Sequence, residues 1–256
     1  MSSMVDHLVA ELLALDVRLM GCQARLAVST DSEALHDLRT TVRRLRSVLR
    51  PLRSYSGAEP LEQAAKAVGQ LTTPLRDMQV LAQFLEEQGL NDAARRRNEH
   101  LAQACPKVAS SPELMRLLTL LDQFPAMLRV QERQRLLRGL RKTIEKRMDK
   151  QWKKLRQAMS EPGHDRHELR LLIKRVRYAA EAYPELSHQP KNMQRSLKAA
   201  QAELGHWHDH LQWLAKAGEH ADLAPCIAGW QMGIVRAERK SEQALKALGK
   251  VCFAKR

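Results

Sequence analysis

The chain has 256 residues, of which 44% are hydrophobic and 28% charged, so it can bury a substantial core and extensive disorder is excluded. Lys and Arg number 43 against 29 Asp and Glu, and the formal net charge of +14 predicts an anionic partner such as nucleic acid, a phosphate polymer or an acidic membrane. Aromatic residues make up only 4%, which argues against a protein that stacks single-stranded bases on exposed rings.

Helix formers such as Leu, Ala and Arg dominate the chain, and alternating strand patterns are missing, so the sequence predicts an all-α protein. In chain order, the predicted helices span residues 4–28, 32–54, 58–71, 74–88, 91–105, 112–123, 125–160, 164–187, 190–204, 206–219 and 221–250. The break at 71–74 depends on Thr73-Pro74, which is typical of a cap followed by a proline in the first helical turn.

Compartment and thiol chemistry can also be predicted. The N-terminus lacks the charged and apolar regions of a secretory signal, and no stretch of about 18 residues is apolar and free of charge, so we expect a cytoplasmic protein without a membrane span. The four cysteines, Cys22, Cys105, Cys226 and Cys252, lie far apart without a C-x-x-C pair. We therefore expect buried, reduced thiols and neither a disulfide framework nor a zinc knuckle.

The most informative feature is a short basic helix that occurs twice, 131 positions apart, at His36–Ser47 and His167–Tyr178. Five of the twelve aligned positions are identical, and four more exchange like for like. A long predicted helix precedes each copy, and a seam near 106–112 separates them without a flexible linker. We therefore expect two homologous helical bundles that share one body, at about 1–108 and about 109–256.

On a helical wheel, the cations of each copy form one strip beside an apolar strip that can anchor the helix. The first strip comprises His36, Arg39, Arg43, Arg46 and Arg50, and the second comprises His167, Arg170, Lys174 and Arg177. The ordinary alternative is the solvated face of an amphipathic helix. Cations without an acidic partner four residues away repel one another, however, and a duplicated arrangement of this kind favours an anion-binding surface. Glu181 takes the place of Arg50 in the second copy, and we expect it to pair with Arg177 or Lys174.

A second paired feature follows each copy. Residues 73–77 align with 205–209, each segment ends in an aspartate, and a lysine lies 11 positions before each aspartate. One interpretation is that the aspartates orient basic side chains around them, and the alternative is that they cap helices or interact with helix dipoles. The residues concerned are the lysines Lys66 and Lys198, the basic residues Arg76 and His208, and the aspartates Asp77 and Asp209.

Two other basic clusters are expected to have more ordinary roles. His206 and His210 are spaced like metal ligands on a helix, but neither a cysteine nor a carboxylate-rich partner accompanies them, so we expect no metal and no cofactor. The runs 95–97 and 142–154 are expected to be solvated faces that only assist long-range attraction.

At these residues the sequence resembles the CHAD family, the conserved histidine α-helical domain. The family's signatures look like H-x-L-R-x-x-x-R-R-x-R and H-x-L-R-x-x-x-K-R-x-R-Y, which residues 36–46 and 167–178 match. Arg76-Asp77 and the L-G-x-x-x-D at 204–209 also fit, whereas the L-G expected before Arg76-Asp77 is replaced by residues 71–75.

The resemblance implies two four-helix bundles related by pseudo-twofold symmetry around a basic central cavity that binds inorganic polyphosphate. It also implies association with polyphosphate granules and a stand-alone binding module, because the E-x-E-x-K signature of the triphosphate-tunnel enzymes that many relatives carry is missing. The residues expected to bind polyphosphate are His36, Arg39, Arg43, Arg46, Arg50, Lys66, Arg76, His167, Arg170, Lys174, Arg177, Tyr178, Lys198 and His208, with Asp77 and Asp209 orienting them.

Three functions compete at this point. The first is non-enzymatic polyphosphate binding, because the motifs supply cations but no nucleophile–base pair and no metal cage for phosphoryl transfer. The second is nucleic-acid binding, which the net charge alone suggests. The third is a hydrolase or kinase that acts on phosphoanhydrides and would need a divalent metal.

Overall fold

The computed structural model describes residues 3–29, 31–161 and 163–253, and within these ranges it confirms an all-α protein without strands. The α-helices are α1 (Met4–Ala27), α2 (Glu33–Leu49), α3 (Ala58–Glu87), α4 (Asn91–Ala109), α5 (Pro112–Arg133), α6 (Leu140–Ser160), α7 (Arg166–Ala182), α8 (Lys191–Ala217) and α9 (Ile227–Phe253). Short 3-10 segments at Arg50–Leu52, Pro184–Leu186 and Ala221–Cys226 follow α2, α7 and α8.

The predicted break at 71–74 is wrong, because α3 continues through Pro74. A proline inside a helix removes the N–H that would bond to the carbonyl four residues earlier, which for Pro74 is that of Gln70. Here the hydroxyl of Thr73 donates to the Gly69 carbonyl oxygen at 2.7 Å, and that of Thr72 donates to the Val68 carbonyl oxygen at 2.8 Å. These two hydrogen bonds hold the threonine side chains against the turn before the proline, through which the helix continues.

The other predicted boundaries that fell on Pro or Gly also need correction. Helix α5 runs through Pro125 because Leu121, Phe124 and Leu128 bury one continuous face. Helix α8 likewise has no break at 204–206, since an interior glycine costs only about 1 kcal/mol relative to alanine. Conversely, the predicted helix 125–160 is divided by a turn between α5 and α6, where Arg135 and Gly139 have positive φ angles of 60° and 74°.

The chain forms two compact units, Met1–Ile144 and Glu145–Arg256. In the N-terminal unit, α1 packs against α2, α4 and α5, and α3 packs against the same three helices. The unit therefore extends beyond the seam predicted near residue 108, because α5 packs on α1 and α3. The division of the sequence into two repeats stays a prediction, since a repeat and a compact unit are different properties.

In the C-terminal unit, α8 packs against α7 and α9, around a core that includes Leu155, Ile173, Leu197, Leu204 and Leu248. Each fully buried leucine or isoleucine contributes about 1.5–3 kcal/mol relative to an exposed one. These contacts fix which face of α7 points inward and which remains at the surface.

The remaining predictions about the interior hold in most positions. All four cysteines are free thiols, three of them buried and Cys105 half-buried. The prediction that residues 95–97 form a solvated face is wrong for Arg97. This side chain lies in the interior of the N-terminal unit and donates to the Ala93 carbonyl oxygen at 2.8 Å. Within the described ranges, no helix combines the length and the apolarity needed to cross a membrane.

Candidate anion-binding strips

The predicted apolar strips are buried, which fixes the position of the cationic strips beside them. On α2, Leu35, Leu38 and Leu45 are almost fully buried, and on α7, Ile173 and Val176 are buried in the same way. The first strip therefore lies at the edge of the N-terminal unit beside α3, and the second lies at the edge of the C-terminal unit beside α8. This part of the wheel-based prediction is confirmed.

Arg39 is held against α3 by three hydrogen bonds. Its guanidinium NH1 group donates to Thr72 Oγ1 at 3.0 Å, to Thr73 Oγ1 at 3.1 Å and to the Gly69 carbonyl oxygen at 3.2 Å. Burial lowers the pKa of Arg39, the Asp77 carboxylate raises it, and the nearby guanidinium groups of Arg76 and Arg43 lower it again. Arg39 stays charged, because arginine does not deprotonate in proteins. The lowered pKa therefore reports burial first and the neighbouring cations second.

The end of the first strip converges on a carboxylate that the sequence analysis missed. Glu62 of α3 has 0% exposure and lies 3.3 Å from Arg46, 4.0 Å from Arg50 and 2.8 Å from Arg53, measured between carboxylate oxygens and guanidinium nitrogens. Three guanidinium groups share one carboxylate, so the cluster keeps an excess of positive charge. Glu62 also lies four residues before Lys66, and this spacing places both on the α3 face that contacts α2.

The other residues of the first strip differ in exposure. Arg43 and Lys66 are exposed to solvent, whereas His36 is half-buried with its Nε2 atom 3.5 Å from Thr40 Oγ1. These three side chains leave polar groups at the surface, where a polymeric anion can reach them. They lie on the same edge of the unit as Arg39, because α2 and α3 pack side by side.

Arg76 occupies a less favourable place for an anion than predicted. It donates from NH1 to Gln79 Oε1 at 2.6 Å and lines a cavity of about 610 Å³ between α2, α3 and α4. Burial lowers its pKa, whereas the carboxylates of Glu33 and Asp77 raise it. Glu33 and Glu86 line the same cavity, so an anion there would meet carboxylates. Asp77 raises the pKa of both Arg39 and Arg76, and its orienting role stays a prediction.

The second strip closes around a histidine of α8. The rings of His167 and His208 lie 5.4 Å apart between centroids at an interplanar angle of 51°. Burial, followed by the charges of Arg170, His167 and Lys174, lowers the pKa of His208 to about 4. Four predicted site residues are thus brought together, and His208 is a neutral donor near pH 7. Asp209 is the next residue on α8 and is half-buried.

The far end of the second strip is built on Tyr178. Arg177 lies over the Tyr178 ring, with 5.0 Å from guanidinium carbon to ring centroid, and pairs with Glu181 at 3.4 Å. The predicted pairing of Glu181 is therefore confirmed for Arg177. Tyr178 itself is buried and its hydroxyl accepts from Gln201 Nε2 at 3.2 Å. Tyr178 therefore lies beneath Arg177. Lys198 is exposed on the adjoining face of α8.

Of the two histidines considered as metal ligands, His210 has other partners. His210 bonds through Nδ1 to the His206 carbonyl oxygen at 2.7 Å, and its ring packs against Trp213 with 5.3 Å between centroids. Trp213 in turn packs against Trp230 at 5.7 Å. Over the described ranges, no group of three or more His, Cys, Asp and Glu side chains is placed to hold a metal ion.

Residues 11–217 match the family model of the CHAD domain. The chain belongs to the CHAD domain family. A crystal structure of the CHAD domain from the plant Ricinus communis is similar in fold, with a TM-score of 0.74 and 22% sequence identity over 100% of this chain and 93% of that one. At this identity the similarity concerns the fold alone. A search of the curated proteins found no match.

The CHAD match includes both cationic strips and ends with α8 at residue 217. Both duplicated motifs are therefore elements of the CHAD domain, each on a helix (α2 or α7) that packs beside a second helix (α3 or α8) carrying the predicted aspartate. The motifs contain nothing that would have predicted contacting residues outside them, above all Glu62. Only their helical spacing from a predicted residue could have indicated them.

Proposed function

We propose that this CHAD protein binds inorganic polyphosphate through its two cationic strips, does not turn the polymer over, and associates with polyphosphate granules. CHAD domains are associated with polyphosphate binding. The observation that carries the proposal for this chain is the crowding of cations in both strips. Arg76 and Arg43 lie close enough to Arg39 to lower its pKa, and Arg170 and Lys174 lower the pKa of His208.

Polyphosphate fits this arrangement chemically. It is a flexible chain with about one charge on each interior phosphate and no bases, so it needs many cations and no stacking surface. Arginine supplies bidentate forks, lysine a point charge and neutral histidine a hydrogen-bond donor. A bound polyanion also relieves the repulsion among the crowded guanidinium groups, which adds to the binding free energy.

The salt dependence of binding tests the proposal. Each cation that neutralises a phosphate releases condensed counterions, so log affinity falls linearly with log salt. We expect the double variant Arg43→Ala, Lys174→Ala to flatten that slope by roughly 1.5–2, by analogy with nucleic acids. Fluorescence anisotropy with end-labelled polyphosphate at several salt concentrations measures the slope, and a phosphate-release assay with added divalent metal checks that the polymer is not turned over.

The matched control removes two cations outside the strips, Arg95→Ala and Arg96→Ala on α4, where both side chains are exposed. This control should keep the slope of the wild type. If the slope is unchanged in the strip variant and its helical content is normal, Arg43 and Lys174 do not contact the bound phosphates. If duplex DNA competes as well as polyphosphate at the same phosphate concentration, nucleic-acid binding becomes the better description.

The expectation that both strips line one central cavity stays a prediction. Titration with short polyphosphate chains tests it through the single variants Arg43→Ala and Lys174→Ala. A shared cavity requires both variants to weaken the same binding event. Two independent strips would instead produce two events, and each variant would abolish one of them.

A further inference from the structure

A second cavity, of about 530 Å³, lies in the C-terminal unit where α7 ends, the Pro184–Leu186 segment turns and α8 begins. Four cations line it, namely Arg177 and Lys198 from the predicted site and Lys191 and Arg195 from the first turns of α8. Cavities of this volume enclose small ligands or parts of larger ones. Four cations around one open cavity favour a group with more charge than a single interior phosphate carries.

Polar atoms in this region lack hydrogen-bond partners. Ser187 Oγ, Gln189 Oε1 and Arg177 Nε are all buried and make no hydrogen bond. The hydroxyl and the amide can rotate toward a group in the cavity, and a bound ligand would then supply the missing partners. Arg177 Nε can only donate and Gln189 Oε1 can only accept, so the fitting ligand offers both acceptor and donor groups.

The cavity also contains a carboxylate and a helix start. Glu181 lines it and pairs with Arg177 at 3.4 Å. Helix α8 begins at Lys191 after Pro190, which offers no side-chain cap, and the Met193 N–H of its first turn donates to Asn192 Oδ1 at 2.8 Å. The start of a helix favours an anion, while the carboxylate favours an anion that still carries a proton. Both requirements point to a phosphoryl group with an ionisable hydroxyl.

We propose that this cavity binds the terminal phosphoryl group of a polyphosphate chain whose interior phosphates lie on the second strip. This inference depends on the proposed function. A terminal phosphoryl group resembles a phosphomonoester, with about 1.5–2 negative charges at pH 7, a second pKa near 6 and three non-bridging oxygens. An interior phosphate has two such oxygens, one charge and no proton. Arg177 of the second strip and Lys198 of the predicted site both line the cavity, so these two side chains connect the two subsites.

The test compares linear polyphosphate of one defined length with free ends and with both ends capped as alkyl phosphoramidates. We expect the wild type to bind free-ended chains about tenfold more tightly, which corresponds to about 1.4 kcal/mol. The variant Lys191→Gln, Arg195→Gln should lose this preference and keep its affinity for capped chains. Both side chains are exposed, so the fold should tolerate their replacement.

A charge-matched control separates end recognition from general charge loss. Arg239→Gln, Lys240→Gln on α9 removes the same charge from exposed positions outside the cavity and should keep the preference. Equal affinity of the wild type for free and capped chains would overturn end recognition while leaving the proposed function intact. A preference that survives in the Lys191, Arg195 variant would also overturn it. If neither chain binds the wild type, the proposed function itself fails.

Discussion

Replacing Glu62 by glutamine should destabilise the N-terminal unit and, at the same time, strengthen anion binding. The Glu62 side chain has 0% exposure and contacts three arginine side chains that are 26%, 31% and 50% exposed. Removing one partner of a buried ion pair costs about 3–5 kcal/mol. Because Arg46, Arg50 and Arg53 keep partial access to water, we expect a smaller loss, about 2 kcal/mol in the free energy of unfolding.

Thermal unfolding monitored by circular dichroism measures this loss. For a chain of this length, about 2 kcal/mol corresponds to a decrease in Tm of roughly 4–8 °C. The matched control is Glu87→Gln, at an exposed position of the same helix, which should stay within about 0.5 kcal/mol of the wild type. An unchanged Tm in the Glu62 variant would refute the idea that this carboxylate holds the arginine cluster in place.

The same variant tests whether the cluster belongs to the anion site. A ligand that binds the folded state raises stability by an amount that grows with the ratio of its concentration to Kd. Without Glu62, the released Arg46 and Arg50 can turn to phosphate, so polyphosphate should raise the Tm of the variant more than that of the wild type. An equal increase would place these two arginines outside the site.

Three further outcomes are expected. The folded-state pKa of His208 is lowered to about 4, so between about pH 4 and the ordinary value of about 6.5 the unfolded state binds more protons than the folded state. The protein therefore loses stability as the pH falls through this range. His208→Gln should reduce that loss in the free energy of unfolding by about 1 kcal/mol after allowance for solvent screening. Polyphosphate favours protonated His208, so wild-type binding near pH 6 should take up protons, and calorimetric enthalpies should differ between buffers of different ionisation enthalpy. Gly233→Ala should lower Tm, because its Cβ would clash with the His210 ring, whereas Gly229→Ala, with open space around it, should not.

Periodicity alone could predict both strips and the helix faces that anchor them. A helical wheel needs only the order of residues within one helix, so the burial of Leu38 and Ile173 beside half-buried cations followed directly. The helix breaks at Pro74 and Pro125 were predicted wrongly because a proline costs a helix about 3 kcal/mol, which packing and side-chain hydrogen bonds can offset. Local sequence does not contain those tertiary contributions.

Partners on other helices could not be predicted in this way. Glu62 lies 16 residues from Arg46, and Gln201 lies 23 residues from Tyr178, so only the packing of α2 on α3 and of α7 on α8 brings them together. The cavity beside Arg177 likewise depends on how the Pro184–Leu186 segment turns the chain into α8. Site residues within one helix can be predicted from the sequence, whereas the side chains of other helices that contact them cannot.

The two cationic strips end on carboxylates of different exposure, so we expect one carboxylate to matter mainly for stability and the other mainly for ligand binding. The first strip ends on Glu62 inside the core, whereas the second ends on Glu181, whose side chain is 49% exposed and stands at a cationic cavity. An exposed ion pair contributes only about 0–1 kcal/mol, so Arg177 can exchange Glu181 for a ligand at little cost. Glu181→Gln should therefore leave Tm nearly unchanged and alter polyphosphate affinity, whereas Glu62→Gln should change Tm first. If Glu181→Gln lowers Tm as much as Glu62→Gln does, the second strip is held as rigidly as the first.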